Sequence, residues 1–127
     1  MPEVVFDPMA DKLTVRLKYS GAAAIAYQCD LLDNYGKKMM DSIIGEVSDS
    51  DSRDLLKPAS KNHNLFLRVL FSYTGSPNMH IELTLDVCEE KEEESTRIGG
   101  FVQPIDILDE DAHTYKPRLK LVGKGMP

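Results

Sequence analysis

Ser20 to Met40 reads SGAAAIAYQCDLLDNYGKKMM, and this stretch fits two periods at once. Its alanines favour a helix, on which Ile25, Cys29 and Leu32 would share one face. Yet Ile25, Tyr27, Cys29 and Leu31 also alternate, as the inward side chains of a strand do. The flanks favour the strand. Ser20 and Gly21 offer a tight turn, and the run from Leu31 to Lys38 reads as strand, turn, strand, with Gly36 free to take a positive φ. On the helical alternative Ser20 would be the N-cap and Gly36 would lie just past the last turn. We expect a strand over Ala22–Leu32.

Period two is unambiguous on either side. In KLTVRLKY, residues 12–19, Leu13, Val15, Leu17 and Tyr19 alternate with Thr14, Arg16 and Lys18. In MHIELTLDV, residues 79–87, Met79, Ile81, Leu83, Leu85 and Val87 alternate with His80, Glu82, Thr84 and Asp86. NLFLRVLFSY, residues 64–73, carries Leu65, Leu67, Val69, Phe71 and Tyr73 on one face, while Phe66 and Leu70 make the other face partly apolar. That predicts a central strand covered on both sides. The link TGSPN, Thr74–Asn78, predicts an antiparallel hairpin between the last two strands.

Elsewhere the signals are weaker. From Gly45 to Asn64 the chain is polar and reads as a long connection between sheets, with a helical turn at Asp51–Leu56 before Pro58. The paired glycines of IGGFVQ, residues 98–103, suit a bulge in a strand. RLKLV after Pro117 reads as a last short strand at a sheet edge. Together these strands predict an all-β fold, an antiparallel β-sandwich of immunoglobulin-like or related Greek-key design with at most one or two short helical turns. Residues 1–111 form its single domain, and 112–127 a basic C-terminal tail.

The 127 residues suffice for a core without metal or disulfides, and a 42% apolar share supports a folded chain. A net charge of −6 gives no broad positive field, which argues against nucleic acid and anionic membranes as partners. MPEVVFDPMADK lacks the basic and apolar regions of a signal peptide, no apolar run is long enough to span a bilayer, and we expect a cytoplasmic protein. Cys29 and Cys88 are expected to be free thiols.

Catalytic patterns are thin. His63, His80 and His113 stand singly, neither cysteine has a histidine near it in sequence, and no glycine loop cradles a phosphate, so we expect no enzyme. Asp49, Asp51 and Asp54 in SDSDSRDLL are a weak calcium candidate, strongest if Asp106, Asp109 and Asp111 converge on them. The EF-hand register fails, because Arg53 takes the fifth position and Asp54 the sixth, where glycine is needed. Ser48, Ser50 and Ser52 are alternatively exposed to phosphorylation. Tyr35 and Tyr115 are the only aromatics placed outside the core, which gives little support to carbohydrate binding.

Charge segregation carries the leading functional expectation. EEKEEE holds Glu89, Glu90, Glu92, Glu93 and Glu94, whose mutual repulsion favours an extended, mobile loop. Beyond Asp111 there is no acid, while Tyr115, Lys116, Arg118, Lys120 and Lys124 line a basic segment. These ten residues are the candidate contact set of a non-enzymatic protein-binding or assembly module, whose partner is another protein or a copy of itself. The alternative is a small-ligand module taking calcium or carbohydrate through its end loops.

Overall fold

A computed structural model describes residues 2–20, 24–47, 50–55 and 65–124. Its ten strands are β1 (Glu3–Phe6), β2 (Lys12–Ser20), β3 (Ala24–Leu32), β4 (Ile43–Val47), β5 (Ser50–Asp54), β6 (Leu65–Thr74), β7 (His80–Lys91), β8 (Glu94–Asp106), β9 (His113–Tyr115) and β10 (Arg118–Gly123). They form two packed sheets, and the chain is an all-β sandwich. One sheet, here sheet A, runs β1-β10-β6-β3-β4 with β9 beside β6; the other, sheet B, runs β5-β2-β7-β8. Every pairing is antiparallel except that of β1 with β10. Among the described residues there is no helix, hence none long and apolar enough to cross a membrane.

The ambiguous stretch is strand β3. Ile25, Tyr27, Cys29 and Leu31 point into the core, and Leu31 is 1% exposed. Beyond Leu32 the chain turns through Asn34, Tyr35 and Gly36, with Gly36 N–H donating to Asp33 O and Asp33 N–H to Lys37 O. This is a three-residue hairpin loop whose last position is left-handed; Gly36 fills it at φ 78°.

Four expectations are corrected. First, β6 and β7 do not form a hairpin: β6 pairs with β3, β9 and β10, and β7 with β2 and β8. The chain between Thr74 and Met79 arches from one sheet to the other. The arch sets Leu65, Leu67, Val69 and Phe71 against Ile81, Leu83, Leu85 and Val87 across the core, each worth roughly 1.5–3 kcal/mol when fully buried. A hairpin would lay both apolar faces on one side, still needing a second layer.

Second, the segment expected to hold a helical turn is in part β5, an edge strand recruited by the free side of β2. Expected as a connection, Gly45–Asn64 also contains the end of β4, and the chain does pass there from sheet A to sheet B. Third, β10 is no edge strand; it lies between β1 and β6, with β9 beside the far half of β6. Residues 113–123 are thus built into sheet A. Fourth, EEKEEE, expected to form an extended, mobile loop, is for the most part paired strand. β7 and β8 run through it and reverse at Glu92 and Glu93, which take φ of 51° and 68° in a tight two-residue turn.

The glycine bulge is present. Val87 pairs with Gly99 and Cys88 with Arg97, leaving Ile98 as the extra residue. At Gly99 a Cβ would meet Val4 at 2.6 Å, so glycine lets β1 of sheet A close over β8 of sheet B.

The Glu92–Glu93 turn generates a test. Left-handed backbone costs a side-chain-bearing residue roughly 1–2 kcal/mol, and Asn-Gly is the pair such a turn prefers. The double substitution E92N/E93G is expected to raise the melting temperature by about 3–5 °C. An unchanged or lower midpoint in a thermal melt contradicts this turn.

Candidate functional site

The two sheets present different faces to solvent. On sheet B the outward positions of β2 and β7 are Thr14, Arg16, Lys18, His80, Glu82, Thr84 and Asp86, the polar pattern of a wetted sheet, to which β8 adds the exposed Val102. Outward on sheet A are Val5, Val122, Phe66, Leu70 and Ile44, none of which belongs to the core cluster, and Leu32, which is buried. Val5 is 53% and Ile44 71% exposed. Among them stand Asp30, Arg68, Arg118, Lys116 and Lys120.

Register explains the arrangement. Asp30 on β3 lies opposite Arg68 on β6, and Arg68 opposite Arg118 on β10. Asp30, only 2% exposed, is the one buried charged residue among those described. Its Oδ2 accepts from Arg68 Nη2 at 3.0 Å and from Gln28 Nε2 at 3.2 Å, while Oδ1 accepts from the Ser42 hydroxyl. Lys38 Nζ donates to that hydroxyl at 2.6 Å and lies 3.8 Å from the carboxylate. Burial alone would raise the Asp30 pKa. The bonds from Ser42, Arg68 and Gln28 and the Lys38 charge outweigh it and hold the carboxyl below its usual range.

Two shallow depressions flank Arg68 and Arg118. One, of about 220 Å³, is lined by Leu32, Asp33, Gly36, Phe66 and both arginines. The other, of about 270 Å³, adds Gln28, Asp30, Leu70 and Lys116. Arg118 and Lys116 make no ion pair among the described residues, and Arg118 faces a like charge, an arrangement that destabilises a sheet. An anionic group placed there would remove that repulsion.

The expected contact residues are thus divided. Lys116, Arg118 and Lys120 reach the outer face of sheet A, although Lys120 already lies 3.7 Å from Glu3. Lys124 is elsewhere, at the end of β10, where its amide donates to Phe6 O. Tyr115, expected outside the core from sequence, is half-buried between the sheets. It stacks on Phe71, meets Phe101 edge-on and donates to Gln103 Oε1, and burial raises its pKa.

Glu89 and Glu90 are engaged within the chain. Glu89 accepts from the Asp7 amide and lies 3.5 Å from Lys91, and Glu90 lies 3.6 Å from Lys12. Glu92, Glu93 and Glu94 are exposed at the hairpin tip and form no ion pair among the described residues. Tyr35, 91% exposed at the β3–β4 turn, does stand outside the core.

The other candidates disperse. Asp49, Ser48 and His63 lie outside the described residues; Asp51 belongs to β5, and Asp54 pairs with Lys12 at 3.4 Å. Asp106 meets His80 at 2.6 Å, whereas Asp109 meets His113 at 2.7 Å and accepts from the Asp111 amide. No group of three His, Cys, Asp or Glu side chains suited to a metal occurs among the described residues. Cys29 is buried with its pKa pushed up to about 12, first by burial and then by the Asp30 charge, which keeps it a neutral thiol.

Sequence reading misses Asp30, Arg68, Gln28, Lys38 and Ser42. The signal it contains is the second apolar face at Phe66 and Leu70, interrupted by Arg68.

Two substitutions examine this geometry. Asp30→Asn removes the charge that three donors address and is expected to cost about 1–3 kcal/mol at pH 7. Because the native carboxyl is held below its unfolded value of about 3.9, its contribution is full above that pH and fades as pH falls through the native value. Denaturant melts of wild type and D30N should therefore draw together as pH falls below the unfolded carboxyl's value of about 3.9, and curves that stay parallel would refute the assignment. Arg118→Glu turns a like pair into an opposite one and should stabilise by roughly 0.2–1 kcal/mol; a loss of stability by the same measurement would contradict it. No protein-family model, curated protein or solved structure matches the chain.

Proposed function

We propose that this chain is a non-enzymatic protein-binding module whose docking surface is the outer face of sheet A. The observation that supports it is the asymmetry of the sandwich: the outward faces of β2 and β7 in sheet B are polar, with Val102 of β8 a single exposed apolar side chain among the described residues, whereas sheet A exposes Val5 and Ile44 and leaves Phe66, Leu70 and Val122 half-buried beside Arg68, Arg118 and Lys116. Apolar side chains on an open sheet face are the mark of a contact surface, and arginine and large apolar residues are those enriched where proteins meet. The partner that suits this face carries acidic side chains next to apolar ones. Asp30 anchors Arg68, so one guanidinium is already ordered when the partner arrives.

The reading also places the protein in a reducing compartment such as the cytoplasm. Cys29 and Cys88 are both buried and unpaired, which suits a compartment where thiols stay reduced.

Selection from a random peptide library displayed on phage tests the docking surface directly, because the library samples many side-chain combinations at once. The enriched peptides are expected to combine Asp or Glu with Leu, Ile or Phe, and to shift the amide resonances of β3, β6 and β10. Arg68→Glu with Arg118→Glu should weaken them at least about tenfold, the size of a charge-assisted contact of roughly 1.4 kcal/mol. Peptides that map to sheet B, or that bind the double variant equally well, would contradict the proposal.

A further inference from the structure

Resting on that docking surface, we propose that one occupant is a second copy of this chain, which sets the acidic tip of its β7–β8 hairpin, Glu92 to Glu94, against Lys116 and Arg118. Two separate features converge here. On the face, Arg68 is engaged by Asp30 and Lys120 by Glu3, whereas Lys116 and Arg118 form no ion pair among the described residues. In the hairpin, Lys91 and Lys12 take up Glu89 and Glu90, whereas Glu92, Glu93 and Glu94 are left uncompensated among those residues. Among the described residues, each half of the charge pattern lacks its complement within one chain.

The turn itself adds a second argument. Glu92 and Glu93 both hold left-handed φ values, a conformation that suits Asn-Gly and disfavours glutamate. Local strain retained in a tight turn points to a role for the residues that bear it. These carboxylates sit at the end of a ribbon tied down along its β2 side, because β7 is paired with β2 and the Glu92 amide donates to Asp11 Oδ2 at 3.0 Å. The tip is therefore narrow, charged and held in place. The depressions beside Arg118, about 220 and 270 Å³, give carboxylate-bearing side chains room to enter.

The net charge of −6 opposes any self-association, so distance decides the balance. At about 0.1 M salt the Debye length is about 10 Å, which screens charges across the molecule while sparing those in contact. At about 1 M it shrinks to about 3 Å and the contact is screened too. Tip and face are different surfaces of one chain, so the contact is either made twice in a reciprocal two-fold pair or made once per copy, which generates open chains or rings.

Sedimentation velocity on the full chain tests this. At about 1 mM protein, where even a millimolar contact is substantially populated, wild type should show species beyond the monomer in about 0.1 M salt and a monomer in about 1 M. E92K/E93K/E94K and K116E/R118E should each be monomeric alone, with melting curves confirming that they fold. Mixed in equal amounts they should associate again, because each supplies the charge the other lacks. Should either reversal unfold the chain, the neutral versions E92Q/E93Q/E94Q and K116Q/R118Q are expected to abolish association. A wild type monomeric at about 0.1 M salt, association indifferent to both substitutions, or failure of the mixture would overturn the inference. If peptides still map to sheet A under those outcomes, only the identity of this partner is wrong and the docking surface stands.

Discussion

The apolar faces of β6 and β7 meet across the core, and the rest of the sandwich follows from that meeting. The arch from Thr74 to Met79 carries the chain between sheets and is tied at its far end: Asn78 N–H donates to Ile107 O and Ile107 N–H to Met79 O. With β7 in the opposite layer, each side of β6 is open to a neighbour. β3 takes one side, and β9 and β10 together take the other. At Val69, where those two meet, the amide donates to Pro117 O; the proline, having no N–H of its own, marks the break between them.

Putting β6 at the centre of sheet A also puts its second face at the centre of an outer surface. Arg68 falls between Asp30 and Arg118 because antiparallel register sets the three opposite one another. An ion pair under partial cover adds little net stability, since desolvation offsets much of the attraction. Its effect here is orientation. Asp30 is saturated by its donors and fixes the Arg68 guanidinium, while Arg118, with no ion pair among the described residues, stands beside apolar side chains. Sheet B contains nothing comparable among those residues: its outward charges are spread among threonines, and pairs such as Arg97 with Asp86 at 2.7 Å satisfy one another.

Much of the strand content is legible in sequence because alternation reports which side chains share a face. Alternation is silent about which strand lies alongside. KLTVRLKY, NLFLRVLFSY and MHIELTLDV are therefore readable as strands while the arch between the last two is not, for a five-residue link serves a hairpin or an arch equally. SDSRD lacks the branched and aromatic residues that mark strands, and its pairing comes from the open edge of β2. Repulsion within EEKEEE suggests a loop, yet long pairing on both sides forces the turn, and partners inside the chain relieve Glu89 and Glu90. At the candidate site the lysines and Arg118 are visible as basic residues. Asp30 and Arg68 are not, since each looks like a polar interruption of its own strand until register brings them together. The second apolar face of β6 reads as covered, whereas Phe66 and Leu70 remain only half-buried.

Carbene footprinting tests most directly whether this outer face is a contact surface. The purified chain, labelled alone in dilute solution, is compared with the same chain labelled in an extract of the cells that make it. Protection in the extract should fall on Val5, Phe66, Leu70 and Val122 of sheet A and spare Val102, which is exposed on sheet B. Equal labelling of both faces under the two conditions, or protection centred on Val102, would contradict the account.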